Sequence, residues 1–222
     1  KACGSICAID KGEQIHDEIA RRGLLKTNAV LGNALVDMYA KCGMLAKAQH
    51  VLDELPVRNV VSWNVLISGY VQHNQGHEAL NCFEHMQKEG LSPNRVTFIC
   101  SLNACRSIEA LGKAERIHAE IVDKGLLEKD LALTTALVDM YAKCGVLEKA
   151  QQVLEELPLR NVVSWNALIT GYVEQGQCLQ ALNCFQQMQS DGFSPDVVTL
   201  ICILNACGTS GSIAKGEEIH KD

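Results

Sequence analysis

The sequence repeats itself at a constant interval of 102 residues. Residues 33–43 read Asn-Ala-Leu-Val-Asp-Met-Tyr-Ala-Lys-Cys-Gly, and residues 135–145 differ from them only in a leading Thr. Three shorter motifs return at the same displacement: Asn59-Val-Val-Ser-Trp-Asn64, Asn81-Cys-Phe83 and Asn103-Ala-Cys105. Each interval contains three segments of about 31, 35 and 36 residues, a scale typical of stacked repeats. The sequence therefore predicts an all-α fold, an α-solenoid superhelix of stacked helix-turn-helix repeats.

Residues 60–94 show how one repeat is expected to fold. Two apolar stripes with helical spacing are separated by Asn74-Gln-Gly76, and Gly90 and Pro93 follow the second stripe as stop signals. The first stripe consists of Val61, Leu66, Ile67 and Tyr70, and the second begins with Ala79, Leu80, Phe83 and Met86. The segment is therefore predicted to form a helical hairpin.

An Asn or Asp precedes each predicted hairpin, at Asn28, Asn59, Asn94, Asp130, Asn161 and Asp196. A short side-chain oxygen at such a position accepts from the first free backbone N–H groups of the helix. Helix capping is therefore sufficient to explain all six residues. It does not explain why some of them are Asn and others Asp.

The composition fits a packed protein, with 47% hydrophobic and 21% charged residues, and it excludes the disordered class. No apolar run approaches the roughly 20 residues that span a bilayer, so we expect no membrane partner. The chain starts and stops within a predicted repeat, which indicates a fragment of a longer protein.

Eleven cysteines are present, and no two have the Cys-x-x-Cys spacing of a zinc site. Most recur at apolar repeat positions, as Cys42 and Cys144 do, which predicts reduced thiols without metal or cofactor. His16-Asp-Glu18 and His118-Ala-Glu120 match half of a zinc deaminase signature, but the required Pro-Cys-x-x-Cys segment is not in the sequence. We therefore predict no enzymatic activity for this chain.

These motifs resemble those of pentatricopeptide repeat proteins over the whole chain. Val60-Val-Ser-Trp-Asn-Val-Leu-Ile-Ser-Gly-Tyr, with Glu78-Ala-Leu-Asn-Cys-Phe-Glu-His-Met, resembles a P-type repeat. Residues 162–196 resemble a second P-type repeat, and the remaining segments resemble the short S and long L variants. The resulting order is a partial L repeat (1–28), S (29–59), P (60–94), L (95–130), S (131–161), P (162–196) and a partial L repeat (197–222). This order is similar to that of the PLS subclass of plant organelle RNA-binding proteins.

The resemblance implies binding of single-stranded RNA at about one base per repeat. The expected base-reading residues are the fifth of the first helix and the last of the repeat. These pairs are Asn33 with Asn59, Asn64 with Asn94, Thr135 with Asn161, and Asn166 with Asp196. Asp can only accept a hydrogen bond, whereas Asn can also donate one. The expected order of preferred bases, counted 5′ to 3′ from the repeat 29–59 onward, is pyrimidine, pyrimidine, any base, adenine and uracil. The third base is unspecified because Ile99, the fifth residue of the repeat 95–130, cannot hydrogen-bond.

Two further sets of residues are implied by the same resemblance. Small apolar side chains at the second position of each repeat would sandwich the bases, namely Val30, Val61, Val96, Ala132, Val163 and Val198. Helix-start packing is the alternative for this set. Lys41 and Lys143 are expected to contact phosphate, and solvated surface lysines are the alternative for them.

The formal net charge of −6 opposes RNA binding, because phosphate contacts normally dominate affinity. Most acidic residues, however, fall in the second predicted helix of each repeat, away from the base-reading positions. The alternative function is a tetratricopeptide-like scaffold for protein–protein interaction, whose repeats keep a period of 34 residues. The resemblance further implies a role in organellar C-to-U editing or RNA processing, and contacts between L repeats and small editing-factor proteins.

Overall fold

The computed structural model describes residues 9–26, 28–127, 130–156 and 160–210. Twelve α-helices and a short 3₁₀ helix, Leu24–Lys26, make up its regular structure, and those residues contain no strand. The helices are α1 (Ile9–Arg21), α2 (Ala29–Lys41), α3 (Leu45–Glu54), α4 (Val60–Gln72), α5 (Gly76–Lys88), α6 (Arg95–Ser107), α7 (Leu111–Asp123), α8 (Leu131–Lys143), α9 (Leu147–Glu156), α10 (Val162–Glu174), α11 (Cys178–Ser190) and α12 (Val197–Ser210).

The helices form two compact units, residues 1–108 and 109–222. In the first unit α2, α4 and α6 pack side by side, and α3 and α5 pack against this layer. In the second unit α8, α10 and α12 form the equivalent layer, with α9 and α11 packed against it. We call α2, α4, α6, α8, α10 and α12 the first helices. The predicted all-α solenoid of stacked helical hairpins is thus confirmed within each unit.

The core of residues 60–94 follows the predicted stripes with one correction. Leu66, Ile67 and Tyr70 are buried, as is the whole of the second stripe. Val61 is not part of this core, because 57% of its surface is exposed. At 3.6 residues per turn, nine residues place Val61 roughly half a turn around the helix from Tyr70, on the opposite face.

The six predicted caps are confirmed. The side-chain oxygen of each accepts from a backbone N–H of the first helical turn that follows it, at Asn28, Asn59, Asn94, Asp130, Asn161 and Asp196. Most hairpin turns are made by a residue with positive φ, such as Gly43 at 74° and Gly145 at 78°. A left-handed residue at this place lets the following N–H groups bond to the last free carbonyls of the helix.

A buried tryptophan follows the cap of α4 and of α10, and the two have different partners. Trp63 Nε1 donates to Glu89 Oε2 at 2.9 Å, and the other oxygen of Glu89 pairs with Arg58 at 2.6 Å. The second unit has Asp191 at the equivalent place, where its carboxylate pairs with Arg160 at 2.6 Å. Trp165 Nε1 is buried without a partner. The shorter side chain therefore serves the arginine and leaves the indole unsatisfied.

We expect Asp191→Glu to raise the free energy of unfolding by about 1 kcal/mol, because it supplies the missing acceptor for a buried donor. The reciprocal Glu89→Asp should lower it by about 1 to 3 kcal/mol. Urea denaturation of both variants measures these changes. Asp191→Asn is the control, since the Asn side chain cannot reach the Trp165 indole and no longer forms the ion pair with Arg160. An Asp191→Glu protein no more stable than the parent would show that Trp165 does not lack an acceptor.

Candidate nucleic-acid interface

In the second unit, one pair of predicted base-reading residues is joined by a hydrogen bond. Asn166 lies in α10, and Asp196 is the cap of α12. Asn166 Nδ2 donates to Asp196 Oδ1 at 2.9 Å. Thr199, the third residue of α12, completes the cluster: its backbone N–H donates to Asp196 Oδ1 at 2.9 Å, and its hydroxyl donates to Asn166 Oδ1 at 2.5 Å. The base-reading pair and the helix cap are therefore one network.

The first unit contains the same arrangement around Asn64 and Asn94. Asn64 Nδ2 donates to Asn94 Oδ1 at 3.1 Å, and the Thr97 hydroxyl donates to Asn64 Oδ1 at 2.7 Å. The backbone N–H of Thr97 donates to Asn94 Oδ1 at 3.1 Å. In the two networks the fifth residue, Asn64 or Asn166, is buried, and the cap, Asn94 or Asp196, is exposed. The cap side chain therefore faces solvent, and the buried Asn beneath it donates a hydrogen bond to its oxygen.

The chemistry of the donors fixes which way each amide points. A backbone N–H can only donate, so the Asn94 atom that faces Thr97 N must be its oxygen. That oxygen also faces the amide of Asn64, which must therefore present Nδ2 to it. Oδ1 of Asn64 then faces the Thr97 hydroxyl, which donates to it. The carboxylate of Asp196, which only accepts, imposes the same orientation on Asn166.

The two networks differ in the group that the cap leaves for a ligand. Oδ1 of each cap takes up the hydrogen bonds described above. The second atom is a donor, Nδ2, in Asn94 and an acceptor, Oδ2, in Asp196. The backbone N–H of Thr199 and then the amide of Asn166 lower the pKa of the Asp196 carboxyl below its usual value, so it is ionised at neutral pH. The structure therefore gives the Asn and Asp caps opposite hydrogen-bonding character.

The other two predicted pairs are not joined in this way. No hydrogen bond among the described residues links Asn33 to Asn59 or Thr135 to Asn161. Oδ1 of Asn33 is buried without a partner. The Thr135 hydroxyl donates to the carbonyl of Leu131 in its own helix at 2.8 Å. Asn59 and Asn161 accept instead from their own helix starts, Asn161 from Ser164 N at 2.7 Å.

The second residues of the first helices form an exposed apolar set. Val30, Val61, Val96, Val163 and Val198 are between 49% and 78% exposed. Ala132 is half-buried. Within each unit these residues follow the caps of helices that pack side by side, so apolar surface lies next to each cap. Such residues do not contribute to the core and are free to contact a ligand.

The two lysines predicted to contact phosphate lie near the ends of their helices and form ion pairs. Lys41 Nζ lies 2.8 Å from Asp37, and Lys143 Nζ lies 3.1 Å from Glu174. Both lysine side chains are about half exposed. Exposed pairs of this kind contribute about 0 to 1 kcal/mol to stability, so breaking either pair costs little.

The two histidines of the His-x-Glu motifs each form a hydrogen bond with a tyrosine. His16 Nδ1 lies 2.9 Å from Tyr39 Oη, and His118 Nδ1 lies 2.9 Å from Tyr141 Oη. Burial lowers the pKa of His118. The same tyrosine contact at equivalent positions accounts for the recurring histidine. No cluster of potential metal ligands occurs in the described ranges.

Nine cysteines fall within the described residues, and all nine are free thiols. Five of these are buried, and burial raises the pKa of Cys82 and Cys184 to about 12. A thiol with so high a pKa is a poor nucleophile and metal ligand at neutral pH. Cys3 and Cys7 lie outside the described residues.

Sequence reasoning did not identify Thr97 and Thr199 as part of the site. The signal was present as an Asn or Asp followed three residues later by a hydroxyl residue, which is the spacing of a reciprocal helix cap. That spacing predicts the bond from Asn94 N to Thr97 Oγ1, at 3.1 Å. It does not predict the second bond of the hydroxyl, to a residue in another helix.

Among the described residues no helix combines the length and apolarity needed to cross a bilayer.

Comparison with known proteins identifies the repeat family. The family profile described as "PPR repeat family" matches residues 58–107 and 160–209, and the profile described as "PPR repeat" matches residues 33–60 and 134–162. Among Arabidopsis thaliana proteins, a putative pentatricopeptide repeat-containing protein is 36% identical over 98% of this chain and 44% of its own length. The chloroplastic protein CRR2 is 39% identical over 100% and 34%, and a mitochondrial member is 34% identical over 97% and 38%.

Solved structures have the same fold. The crystal structure of PPR10 from maize aligns with a TM-score of 0.59 and 21% identity over 99% of this chain and 37% of that one. Nuclear proteinaceous RNase P 2 of A. thaliana aligns with a TM-score of 0.60 and 14% identity over 74% of this chain and 38% of that one. The chain thus spans less than half the length of the relatives it matches. Because the two profiles together match most of its residues, the chain belongs to the pentatricopeptide repeat family.

Proposed function

We propose that this chain binds single-stranded RNA sequence-specifically, at about one base per repeat, as the recognition segment of an organellar factor for C-to-U editing or RNA processing. The observation that carries the proposal is the hydrogen-bonded pair Asn166–Asp196, together with its counterpart Asn64–Asn94. In each pair a buried residue orients an exposed cap toward solvent, and the cap presents one hydrogen-bonding group of defined character.

The character of each cap matches a particular base edge. Uracil carries a donor at N3, which complements the free oxygen of Asp196. Cytosine carries an acceptor at N3, which complements Nδ2 of Asn94. The fifth residue adds one amide hydrogen of its Nδ2 in both pairs, and both pyrimidines offer a carbonyl oxygen beside N3. The proposed preferences are therefore uracil for Asn166 with Asp196 and a pyrimidine, with cytosine favoured by its donor, for Asn64 with Asn94.

The remaining base-reading assignments follow the repeat order. The S-type repeats 29–59 and 131–161 contribute Asn33 with Asn59, for a pyrimidine, and Thr135 with Asn161, for adenine. The half-buried, short Thr135 leaves room for a purine. The exposed valines provide the apolar surface between which stacked bases lie. We propose that Val30, Val61, Ala132 and Val163 sandwich the bases, and that Lys41 and Lys143 exchange their carboxylate partners for phosphate.

The cellular role is proposed from the relatives and the repeat order. The L, S, P order is typical of the PLS subclass, and relatives are named chloroplastic or mitochondrial. We place the protein in a plant organelle, with small editing-factor proteins as partners of the L repeats. The zinc-ligand segment Pro-Cys-x-x-Cys is not in the sequence. Deamination would therefore come from another domain or another protein.

Fluorescence anisotropy with a short labelled RNA tests the proposal. An RNA containing 5′-CCGAU-3′ should bind at least about tenfold more tightly than one in which the four specified bases are changed to their complements, because each mismatch leaves a polar group unpaired. A duplex of the same sequence and a basic peptide are the controls. Equal affinity for the two RNAs, or tighter binding of the peptide, would contradict RNA recognition and favour a protein-binding scaffold.

A further inference from the structure

We propose that Thr97 and Thr199 are positioning residues that set the base selectivity of the preceding repeats, 60–94 for Thr97 and 162–196 for Thr199. This inference rests on the proposed function. Each belongs to the first helix of the following repeat and is fully buried. Each hydroxyl donates to the fifth-position Asn, at 2.7 Å for Thr97 and 2.5 Å for Thr199. Together with the cap oxygen, which accepts from Nδ2, this bond holds the Asn amide with its oxygen inward, so that the amide presents N–H and not C=O to a base.

The threonine hydroxyl also caps the start of its own helix, and this role must be separated from its role in orienting the Asn amide. It also accepts from the backbone N–H of the cap, Asn94 or Asp196, at 3.1 Å and 3.2 Å. Loss of the hydroxyl would therefore weaken the helix start and also leave the amide held by its bond to the cap alone. A weakened helix start lowers binding of every RNA alike. An amide held only by the cap lowers the difference between RNAs, because its oxygen is no longer bonded to the hydroxyl and can turn toward the base.

The chain contains natural controls for the capping task alone. Ser62 and Ser164 occupy the same helical position as the two threonines, and each hydroxyl accepts from its cap, Asn59 or Asn161. Neither serine hydrogen-bonds to the fifth residue of the preceding repeat. Asn33, which would be the partner of Ser62, has a buried oxygen with no partner. Orientation of the fifth residue is therefore a property of the threonine positions and not of every cap.

This difference sets an order of selectivity within one chain. The pairs Asn64–Asn94 and Asn166–Asp196 have an oriented amide and should discriminate strongly between bases. The pair Asn33–Asn59 lacks the orienting hydroxyl and should discriminate less, although its two residues are the same types as in Asn64–Asn94. The two base-reading residues alone are thus insufficient to specify the ratio of affinities for different bases. The third residue of the next repeat also contributes to this ratio.

Thr97→Val in the full 222-residue chain tests the inference, with Ser62→Ala as the matched loss of a capping hydroxyl. Affinity is measured for two RNAs that differ only at the second base, cytosine or adenine. We expect the parent to prefer cytosine by about tenfold, Thr97→Val to retain about twofold, and Thr97→Ser and Ser62→Ala to retain the parental ratio. Circular dichroism establishes that each variant is folded.

The outcomes separate the inference from the proposed function. A parent that binds both RNAs equally contradicts the proposed function. A selective parent with an unchanged ratio in Thr97→Val, or with equal weakening toward both RNAs, overturns the inference and leaves the threonine as a cap. A lower ratio in Ser62→Ala would also overturn it. If Thr97→Val does not fold, Thr199→Val with Ser164→Ala provides the same comparison at the last base, uracil against adenine.

Discussion

Asp196→Asn is expected to move the preference at the last base from uracil toward cytosine, with a change of about tenfold in relative affinity. The orientation of the new amide is dictated by its surroundings. Thr199 N and Asn166 Nδ2 both donate to Oδ1 of Asp196 and require an oxygen there. The Nδ2 of the new Asn must therefore replace Oδ2, so a donor takes the place of an acceptor. A mismatch that leaves one polar group unpaired costs about 1 to 3 kcal/mol.

Asn94 provides both a precedent and a reciprocal variant. It already holds this orientation in the first unit, where its oxygen accepts from Thr97 N at 3.1 Å and from Asn64. Asn94→Asp should therefore shift the second base toward uracil. Both substitutions preserve the helix cap, because Asn and Asp cap about equally well. Competition binding with RNAs that differ at one base measures both shifts.

Thermal unfolding without RNA is the control, and it should differ little between the parent and each variant. The experiment therefore separates base recognition from helix capping. If Asp196→Asn leaves the relative affinity for uracil and cytosine unchanged, the boundary residue is a cap alone, and the base assignment for residues 162–196 fails.

Close packing of neighbouring first helices depends on a glycine in each unit. A Cβ built on Gly171 in α10 would lie 2.8 Å from Leu147 Cδ2 and 2.9 Å from Ala142 Cβ. Gly69 in α4 is the equivalent residue, and its Cβ would lie 2.7 Å from Ala40 Cβ. Carbon atoms do not approach this closely without repulsion, so the spacing of the stacked helices depends on the missing side chain.

We expect Gly171→Val to lower the free energy of unfolding by about 3 kcal/mol, because a branched side chain overpacks this contact. Gly112→Val is the matched control, since Gly112 is also helical and its Cβ would have no neighbour within 4 Å. That control should change stability by less than about 0.5 kcal/mol. Urea denaturation followed by circular dichroism measures both. Equal losses in the two variants would show that α10 does not need a glycine for packing.

Gly171→Val also bears on the proposed site. The substitution separates α10 from α8, and the relation between neighbouring first helices determines which base-reading residues can meet. We therefore expect weaker RNA binding from Gly171→Val even under conditions in which the protein remains folded. Gly112→Val should bind RNA as the parent does.

The sequence by itself determined that the chain is helical, where the first helices begin and which residues cap them. A cap depends on a side chain and backbone groups two or three residues away, as in the bond from Ser62 N to Asn59 Oδ1 at 3.0 Å. Such contacts repeat wherever the local sequence repeats. The interval of 102 residues therefore predicted equivalent elements in both units. The assignment of Val61 to the buried stripe was wrong, because its distance along the helix from Leu66 and Tyr70 puts it on the exposed face.

The tertiary structure decided which predicted pairs are joined and what supports them. Asn64 and Asn94 are 30 residues apart and meet through adjacent helices, with Thr97 donating to Asn64 from a third sequence position. Asn33 and Asn59 are the same residue types at the same repeat positions and are not hydrogen-bonded to each other. A side-chain hydrogen bond requires heavy atoms within about 3 Å, and that distance between helices is set by packing along the stack and not by the two residues alone.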